Sequence, residues 1–247
     1  MSKVRHTPEA PTALKHLPAG SEVDAHRHDD HQIVYAGRGV LSVTTDAGSW
    51  IAPATRAVWV PAGTVHQHRA YGETDLHTVG LPTTDNPLGL RTPAVLAVGP
   101  LLRELIVAYT RGDLRGAERA RMRAVLLDQL RHAPRQPIRL PTAQDARLAA
   151  VCALLVENPS DQRTLAELGV EIGASSRTLS RLFRTEMGMT FPQWRTQLRL
   201  YHALRLLAEG TPVTSVAHQS GWATPSAFID TFRRAFGHTP GSALARR

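Results

Sequence analysis

The chain is poor in the features that mark secreted, membrane-spanning and disulfide-bonded proteins. Its 247 residues include one cysteine, Cys152, which excludes an intramolecular disulfide framework. No apolar run approaches the ~20 residues that a membrane span requires. Residues 1–8 lack the apolar core of a signal peptide. We therefore expect a cytoplasmic protein with no membrane partner.

Positive charge is concentrated in the second part of the chain. Residues 1–88 contain 7 Lys/Arg and 9 Asp/Glu, a net charge of −2, whereas residues 89–247 contain 22 and 12, a net charge of +10. The length allows two domains, each with its own core. A basic second part after a mildly acidic first part is typical of a protein that binds nucleic acid at one end.

Residues 164–240 contain the same helical unit twice. Phe183 and Gly188 recur 49 residues later as Phe232 and Gly237, and further upstream the offset falls to 48. Each copy is predicted to be a helix, a glycine-containing turn and a second helix, which is the helix-turn-helix arrangement. The second helix of such a unit can enter a DNA major groove.

Capping residues predict where these helices begin. Thr164 and Ser175 are the expected N-caps of the first unit, and Thr211 and Thr224 those of the second. Each of the last two precedes a proline, which favours the first helical position. Thr190 opens a long helix that joins the units.

Polar and basic residues on the second helix of each unit are the candidate DNA contacts. Leucine and phenylalanine form a buried stripe on one face, which leaves the other face for DNA. The planar guanidinium of arginine can donate two hydrogen bonds at once to a guanine edge or a phosphate. The candidates are Ser176, Arg177, Thr178, Ser180, Arg181, Arg184, Thr224, Ser226, Ile229, Asp230, Arg233 and Arg234. In a single unit these basic residues would be interpreted as the solvated face of a helical bundle. Two copies with basic second helices favour DNA binding.

The second unit resembles the C-terminal motif of the AraC/XylS transcription regulators, through residues 221–228 and 232–240. The resemblance covers about residues 143–244 and implies two helix-turn-helix units that read neighbouring major grooves. It also implies double-stranded promoter DNA as a partner, and RNA polymerase as a second partner if the protein is an activator. Gly169 stands where the family usually has alanine, and Pro212 where it often has serine.

Residues 12–81 are predicted to form a small antiparallel barrel or sandwich. Residues 32–35, 40–44, 50–52 and 57–60 are rich in β-branched and aromatic side chains, and glycine-containing turns separate them. Several short strands at near-regular spacing are typical of such folds.

Histidines in this region resemble the two metal-binding motifs of the cupins. The first motif reads Gly20-x5-His26-x-His28-x3-Gln32-x6-Gly39, and the second reads Pro61-x-Gly63-x2-His66. In cupins two histidines, a carboxylate and a later histidine hold a divalent metal inside the barrel. The resemblance implies the metal ligands His26, His28, Gln32 and His66. Glutamine here replaces the usual carboxylate.

Strand geometry supports a site at these residues. His26 and His28 lie on the same face of a strand, and a neighbouring strand can bring His66 to them. Neutral imidazoles suit Zn, Ni, Cu or Fe, and an amide oxygen is a weaker ligand than a carboxylate. The region is further enriched by His31, His68 and His77. The alternative is a polar barrel interior that binds an organic effector, with the histidines as hydrogen-bonding lining.

The remaining segments complete an expected two-domain α+β fold. It consists of a small cupin-like β-barrel with flanking helices and an all-α domain with two helix-turn-helix units joined by a long helix. Two helices predicted beside the barrel have apolar stripes: Leu101, Leu102, Leu105, Ile106 and Tyr109, then Met122, Val125, Leu126 and Leu130. They are expected to cover the barrel or to pair two chains as a homodimer. Residues 133–142, with three prolines, are predicted to be an extended connector.

The expected domains are a cupin-like sensor at residues 1–88, a linker with helices at residues 89–135 and an AraC-type DNA-binding domain at residues 136–247. The predicted function is a sequence-specific transcription regulator, not an enzyme, whose barrel senses a small molecule or a metal ion. The competing function is a metal-dependent cupin oxygenase or isomerase with a DNA-binding tail. Gln32 counts against it, as does Thr55 in place of a motif glycine. A third hypothesis is an architectural DNA-binding protein whose barrel senses nothing.

Overall fold

The computed structural model of the chain describes residues 4–136 and 139–244. These residues divide into two compact units, one drawn from residues 4–46 and 50–136 and the other from residues 47–49 and 139–244. The first is rich in strands and the second is helical. The predicted α+β fold class is therefore confirmed.

The N-terminal part consists of two facing sheets and two helices. Its strands are β1 Arg5–Thr7, β2 Ala13–Leu17, β3 Glu22–His28, β4 His31–Ala36, β5 Val40–Thr45, β6 Gly48–Pro53, β7 Arg56–Val60, β8 His66–Tyr71, β9 Thr74–Leu81, β10 Ala94–Ala97 and β11 Arg135–Gln136. Its helices are α1 Pro100–Thr110 and α2 Gly116–His132. One sheet has the order β1-β3-β8-β5-β6, and the other has the order β11-β10-β7-β4-β9-β2.

Strand β4 is buried on both faces because helices cover the outside of its sheet. Val34 and Ala36 belong to the core between the two sheets. Ile33 and Tyr35, which point the other way, belong to the core beneath α1 and α2. A strand covered on both sides becomes continuously apolar instead of alternating, which explains the run at its centre.

Helices α1 and α2 contact the outer face of this sheet through Leu102, Ile106 and Leu126. The sequence also assigned Leu101 and Val125 to the buried stripes, but these side chains are 56% and 44% exposed. For these two residues the expectation that the stripe covers the barrel is wrong. Successive helical residues are rotated by about 100°, so a helix that directs Leu102 and Leu126 inward turns the residue before each of them toward solvent.

The second unit is a bundle of short helices around one long helix. Its elements are β12 Arg139–Pro141, α3 Ala146–Glu157, α4 Leu165–Ile172, α5 Ser176–Glu186, α6 Phe191–Ala208, α7 Val213–Gln219, α8 Pro225–Phe236 and α9 Pro240–Leu244. The helix-turn-helix units are α4–α5 and α7–α8, and α6 joins them. Residues 137–138 of the predicted connector lie outside the described residues.

Four predicted N-caps are confirmed. Thr164 and Thr190 each form a complete capping box. The side chains of Ser175 and Thr224 each accept a hydrogen bond from a backbone N–H in the first turn of α5 and α8. These bonds satisfy donors that a helix start leaves free, and they fix where both second helices begin.

The predicted cap at Thr211 is wrong. Helix α7 begins one residue later than expected, and its N-cap is Pro212, whose ψ of 141° is extended and which provides no side-chain hydrogen bond. Thr211 instead donates its backbone N–H to the carbonyl oxygen of Leu206 at 2.9 Å. Thr211 therefore belongs to the end of α6.

Polar contacts connect the two helix-turn-helix units beyond the covalent link of α6. Gln162, in the loop before α4, donates from Nε2 to the carbonyl oxygen of Gly221 at 2.8 Å. Arg199 of α6 donates to the carbonyl oxygen of Asp161 at 3.1 Å and to Gln162 Oε1 at 3.1 Å. The turn of the second unit is thus bound to the first.

We expect alanine to destabilise this domain more at Gly221 than at Gly173, the equivalent turn residue of the first unit. Both have left-handed φ values, +81° and +70°, so each substitution costs about 1–2 kcal/mol of backbone strain. A Cβ at Gly221 would also lie 2.8 Å from the Cα of Ser160, whereas a Cβ at Gly173 would meet nothing within 4 Å. Overpacking adds about 1–3 kcal/mol. Urea unfolding of the two variants measures the difference, and equal losses of stability would contradict it.

Candidate functional site

Four histidines occupy the inner faces of two neighbouring strands. His26 and His28 on β3 are buried and flank an exposed arginine, and His66 and His68 on β8 are buried and flank an exposed glutamine. The strands are antiparallel, and His26 lies opposite His66. Because side chains alternate along a strand, all four imidazoles face the interior of the barrel.

The imidazole rings are close enough to act as one group. The ring centroid of His26 lies 4.3 Å from that of His66, 5.0 Å from that of His28 and 5.4 Å from that of His68. One ligand nitrogen from each of His26, His66 and His68 lies within 4.8 Å of the other two. One small ion can contact several of these nitrogens at once.

Backbone hydrogen bonds fix the tautomer of three rings. Nδ1 of His26, His28 and His66 lies 2.7, 3.2 and 2.8 Å, respectively, from a backbone carbonyl oxygen. A carbonyl oxygen only accepts, so each Nδ1 carries the proton and each Nε2 presents a lone pair. Within the described chain, the buried Nε2 atoms of His28 and His66 have no hydrogen-bond partner. Metal-binding histidines are commonly oriented by such a bond to the second ring nitrogen.

Burial keeps these rings neutral. Loss of solvent lowers the pKa of His26, His28 and His68 below the ordinary histidine value, and it lowers the pKa of His66 to about 4. The neutral imidazole is the form that binds metal ions. At neutral pH each of the four imidazoles therefore has an unprotonated nitrogen that can bind a metal ion.

A cavity of about 220 Å³ opens onto this group. Its lining residues are Arg5, Thr7, Glu9, Pro11, Lys15, Val23, His26, His28, Gln32, His68, Leu76 and Thr78. The Gln32 side chain is 1% exposed, and its Oε1 has no hydrogen-bond partner among the residues described. The cavity thus combines buried imidazole and amide acceptors with charged groups nearer its opening.

The structure brings His26, His28 and His66 together and places Gln32 in the lining of the same cavity. It adds His68, which the sequence motif did not include as a ligand. The sequence could have indicated His68, because the spacing His66-x-His68 repeats the alternation of His26-x-His28.

Two other histidines of this region lie outside the group. The His31 ring stacks on that of Trp59 at 4.7 Å, and its Nδ1 accepts the backbone N–H of Ala62. His77 Nδ1 lies 2.6 Å from Thr110 Oγ1. Both side chains have structural partners and are directed toward the side of the sheet that α1 covers.

The second helices α5 and α8 present the predicted DNA contacts. Each helix buries one stripe, which includes Phe183 in α5 and Phe232 in α8, and none of the twelve candidate residues is buried. In α5 the side chains of Arg177, Arg181 and Arg184 are exposed and form no hydrogen bond or ion pair with other described residues. Their guanidinium groups are free to contact an external anion.

Some candidate side chains also have partners within the domain. Thr224 accepts the backbone N–H of Ala227 at 3.2 Å as the N-cap of α8. Arg233 donates to Asp230 at 3.2 Å in an exposed ion pair one helical turn apart. Such an exposed pair is weak, so it does not prevent either residue from contacting DNA.

Comparison with known proteins identifies both parts. Residues 13–81 match the cupin domain family, and residues 168–246 match a helix-turn-helix domain family. The HTH-type transcriptional regulator NimR of Escherichia coli strain K12 is 32% identical over 231 residues, which cover 90% of this chain and 82% of NimR. The chain belongs to the AraC/XylS family of transcription regulators. Both resemblances noted in the sequence are confirmed.

This AraC/XylS regulator is also similar to shorter stretches of other proteins. RipA of Corynebacterium glutamicum, an HTH-type transcriptional regulator, is 40% identical over 103 residues, which are 42% of this chain and 30% of RipA. The DNA-binding domain of AdpA, solved in complex with a target DNA, is 32% identical and covers 41% of this chain and 92% of its own, with a TM-score of 0.39. None of the described helices has the length and apolarity to cross a membrane.

We expect the metal-free regulator to lose stability in its first unit between about pH 6.5 and pH 4. In this window unfolded histidines bind protons that buried His66 does not, so the free energy of unfolding falls as the pH falls, by up to about 1.4 kcal/mol per pH unit for each such histidine. Thermal unfolding with a chelator measures the slope. His66→Gln should reduce this slope, because it removes the histidine whose pKa burial lowers to about 4. A first-unit transition that is independent of pH would contradict this account.

Proposed function

We propose that this protein is a sequence-specific regulator of promoter DNA whose cupin barrel binds a divalent transition metal ion as its effector. The observation that supports the metal is the convergence of ligand nitrogens from His26, His66 and His68 within 4.8 Å of one another. Buried nitrogens without partners are costly, and a bound ion would satisfy them. His28 and Gln32 would add a further nitrogen and an amide oxygen.

The donor set favours particular ions. Neutral imidazoles suit Zn, Ni, Cu or Fe, and Zn is commonly held by three or four nitrogen or sulfur ligands. When bound, such an ion would contribute Lewis acidity and positive charge. The residues of the chain would hold and orient it, because backbone carbonyls fix the Nδ1–H groups of His26, His28 and His66.

For DNA, we propose that α5 and α8 enter successive major grooves. Arg177, Thr178, Arg181 and Arg184 would read or anchor one groove, together with Ser176 and Ser180. The residues proposed for the next groove are Thr224, Ser226, Ile229, Asp230, Arg233 and Arg234. Support comes from their position on the exposed face of two equivalent helices in one compact unit. Contacts of this kind fix the register and read the sequence.

Metal binding would regulate transcription only through linkage. A ligand changes DNA affinity only if it favours one arrangement of domains or chains over another. A homodimer formed through α1 and α2 is one such arrangement, and the exposed apolar side chains of Leu101 and Val125 support it. RNA polymerase would be a further partner if the protein activates transcription.

The competing function is a metal-dependent cupin enzyme. The cavity beside the histidines favours it, because catalytic metal sites keep a position open for substrate. The donor set counts against it, since Gln32 replaces the carboxylate that would stabilise a higher-valent metal. Metal-dependent turnover that His26→Ala abolishes would establish the enzyme.

The metal proposal predicts near-stoichiometric metal in the purified full-length protein by elemental mass spectrometry. A His26→Ala/His66→Ala double variant should contain none, because it loses two of the three converging nitrogens. The matched control is His6→Ala/His16→Ala, which removes two partly exposed histidines of the same domain and should retain the metal. Operator affinity with and without a chelator then tests the effector role. Metal absent from the folded, DNA-binding wild type would contradict the proposal.

Arg181→Ala should lose about 1–3 kcal/mol of discrimination at one base position, the contribution of a bidentate contact to a base edge. Operators mutated one position at a time measure this by their binding constants. Arg147→Ala is the control, since this arginine is exposed in the same domain but lies on α3 and pairs with Asp145 at 2.7 Å. Unchanged selectivity in Arg181→Ala would rule out its assigned role.

A further inference from the structure

The opening of the barrel cavity carries an unpaired positive charge. Arg5 of β1 and Lys15 of β2 both line the cavity. Both residues are exposed, and neither forms an ion pair with another described residue. Glu9 is the one acidic residue in the lining, so the ionised groups of this wall have a net charge of +1.

The inner end of the cavity has acceptors but no negative charge. His26, His28, Gln32 and His68 line it, and at neutral pH imidazole and amide groups carry no charge. A divalent ion held there would keep its full charge, because no carboxylate ligand offsets it. With or without the ion, the positive charges of Arg5 and Lys15 favour an anion over a neutral or cationic molecule.

The walls and the volume limit the size of this anion. The lining also includes the apolar side chains of Pro11, Val23 and Leu76. The volume of about 220 Å³ is below the roughly 300–1,000 Å³ of sites for drug-sized ligands. This volume suits a compact molecule with a short apolar part.

We propose that the barrel cavity binds a small organic carboxylate, with Arg5 and Lys15 as the residues that select its negative charge. The inference rests on the proposed effector role of the barrel, but the carboxylate can bind whether or not a metal is bound. Each of the two basic side chains can donate a charge-assisted hydrogen bond to a carboxylate oxygen. Leu76 and Val23 contact its apolar part.

The test compares acids with their neutral amides on the full-length protein. Benzoate and succinate are the probes, benzamide and succinamide are their uncharged counterparts, and calorimetry at low salt measures the dissociation constants. At least one acid should bind tenfold or more tightly than its amide. Arg5→Gln and Lys15→Gln should each raise the dissociation constant of that acid by about tenfold, the loss expected for one charge-assisted hydrogen bond. Glu9→Gln should lower the dissociation constant of the acid, because it removes the negative charge of the lining.

Arg27→Gln is the matched control, because Arg27 lies between His26 and His28 but points out of the barrel; it should bind the acid as the wild type does. Acids that bind no more tightly than their amides, or an Arg5→Gln/Lys15→Gln variant with wild-type affinity, would overturn the inference. Repeating the titration on chelated and zinc-loaded protein separates the two proposals. Carboxylate binding to a protein that takes up no zinc would support this inference and overturn the metal site. Zinc uptake without selectivity for the acid would support the metal site and overturn this inference.

Discussion

The candidate site of the first unit depends on the burial of several imidazole rings in one small volume. Such rings can share a dry interior only if they are neutral, and desolvation lowers their pKa values accordingly, to about 4 for His66. Backbone carbonyls then fix the protons on Nδ1 of His26, His28 and His66. Among the described residues, the buried Nε2 atoms of His28 and His66 have no hydrogen-bond partner, and burial of such atoms is costly. Ligand binding to this group is favourable because it satisfies buried nitrogen atoms that folding leaves without a hydrogen-bond partner.

The second unit holds the second helices of its two helix-turn-helix units, α5 and α8, in a fixed relation within one chain. Helix α6 links the two helix-turn-helix units covalently. The contacts of Arg199, Gln162 and Gly221 bind the turn between α7 and α8 to the first of these units. Capping at Ser175 and Thr224 fixes where α5 and α8 begin. These caps thereby orient the arginines that follow them in each helix. Polar contacts inside the domain therefore fix the position of the surface groups that we propose to contact DNA.

Much of this organisation could be predicted from sequence because it is encoded locally. Capping boxes, turn glycines and the phenylalanine stripe of α8 each follow from a few neighbouring residues, and the structure confirms them. The errors arose where a distant part of the chain decides the outcome. Thr211 is bonded to the end of α6, and the exposure of Leu101 depends on how α1 is rotated against a sheet that the local pattern does not show. His68 and the basic residues Arg5 and Lys15 join the cavity only through the pairing of β1, β3 and β8 and the return of β2 to β9.

We propose that the barrel interior holds preorganised neutral imidazoles that bind a metal ion. Nuclear magnetic resonance of the full-length protein labelled with ¹⁵N at histidine tests it most directly, because the two ring nitrogens report tautomer and metal binding separately. We expect the Nδ1–H tautomer for His26, His28 and His66 at pH 7 in chelated protein, and a change at the unprotonated nitrogens of the group on adding one equivalent of zinc. Protonated rings, the opposite tautomer, or resonances that zinc leaves unchanged would contradict it.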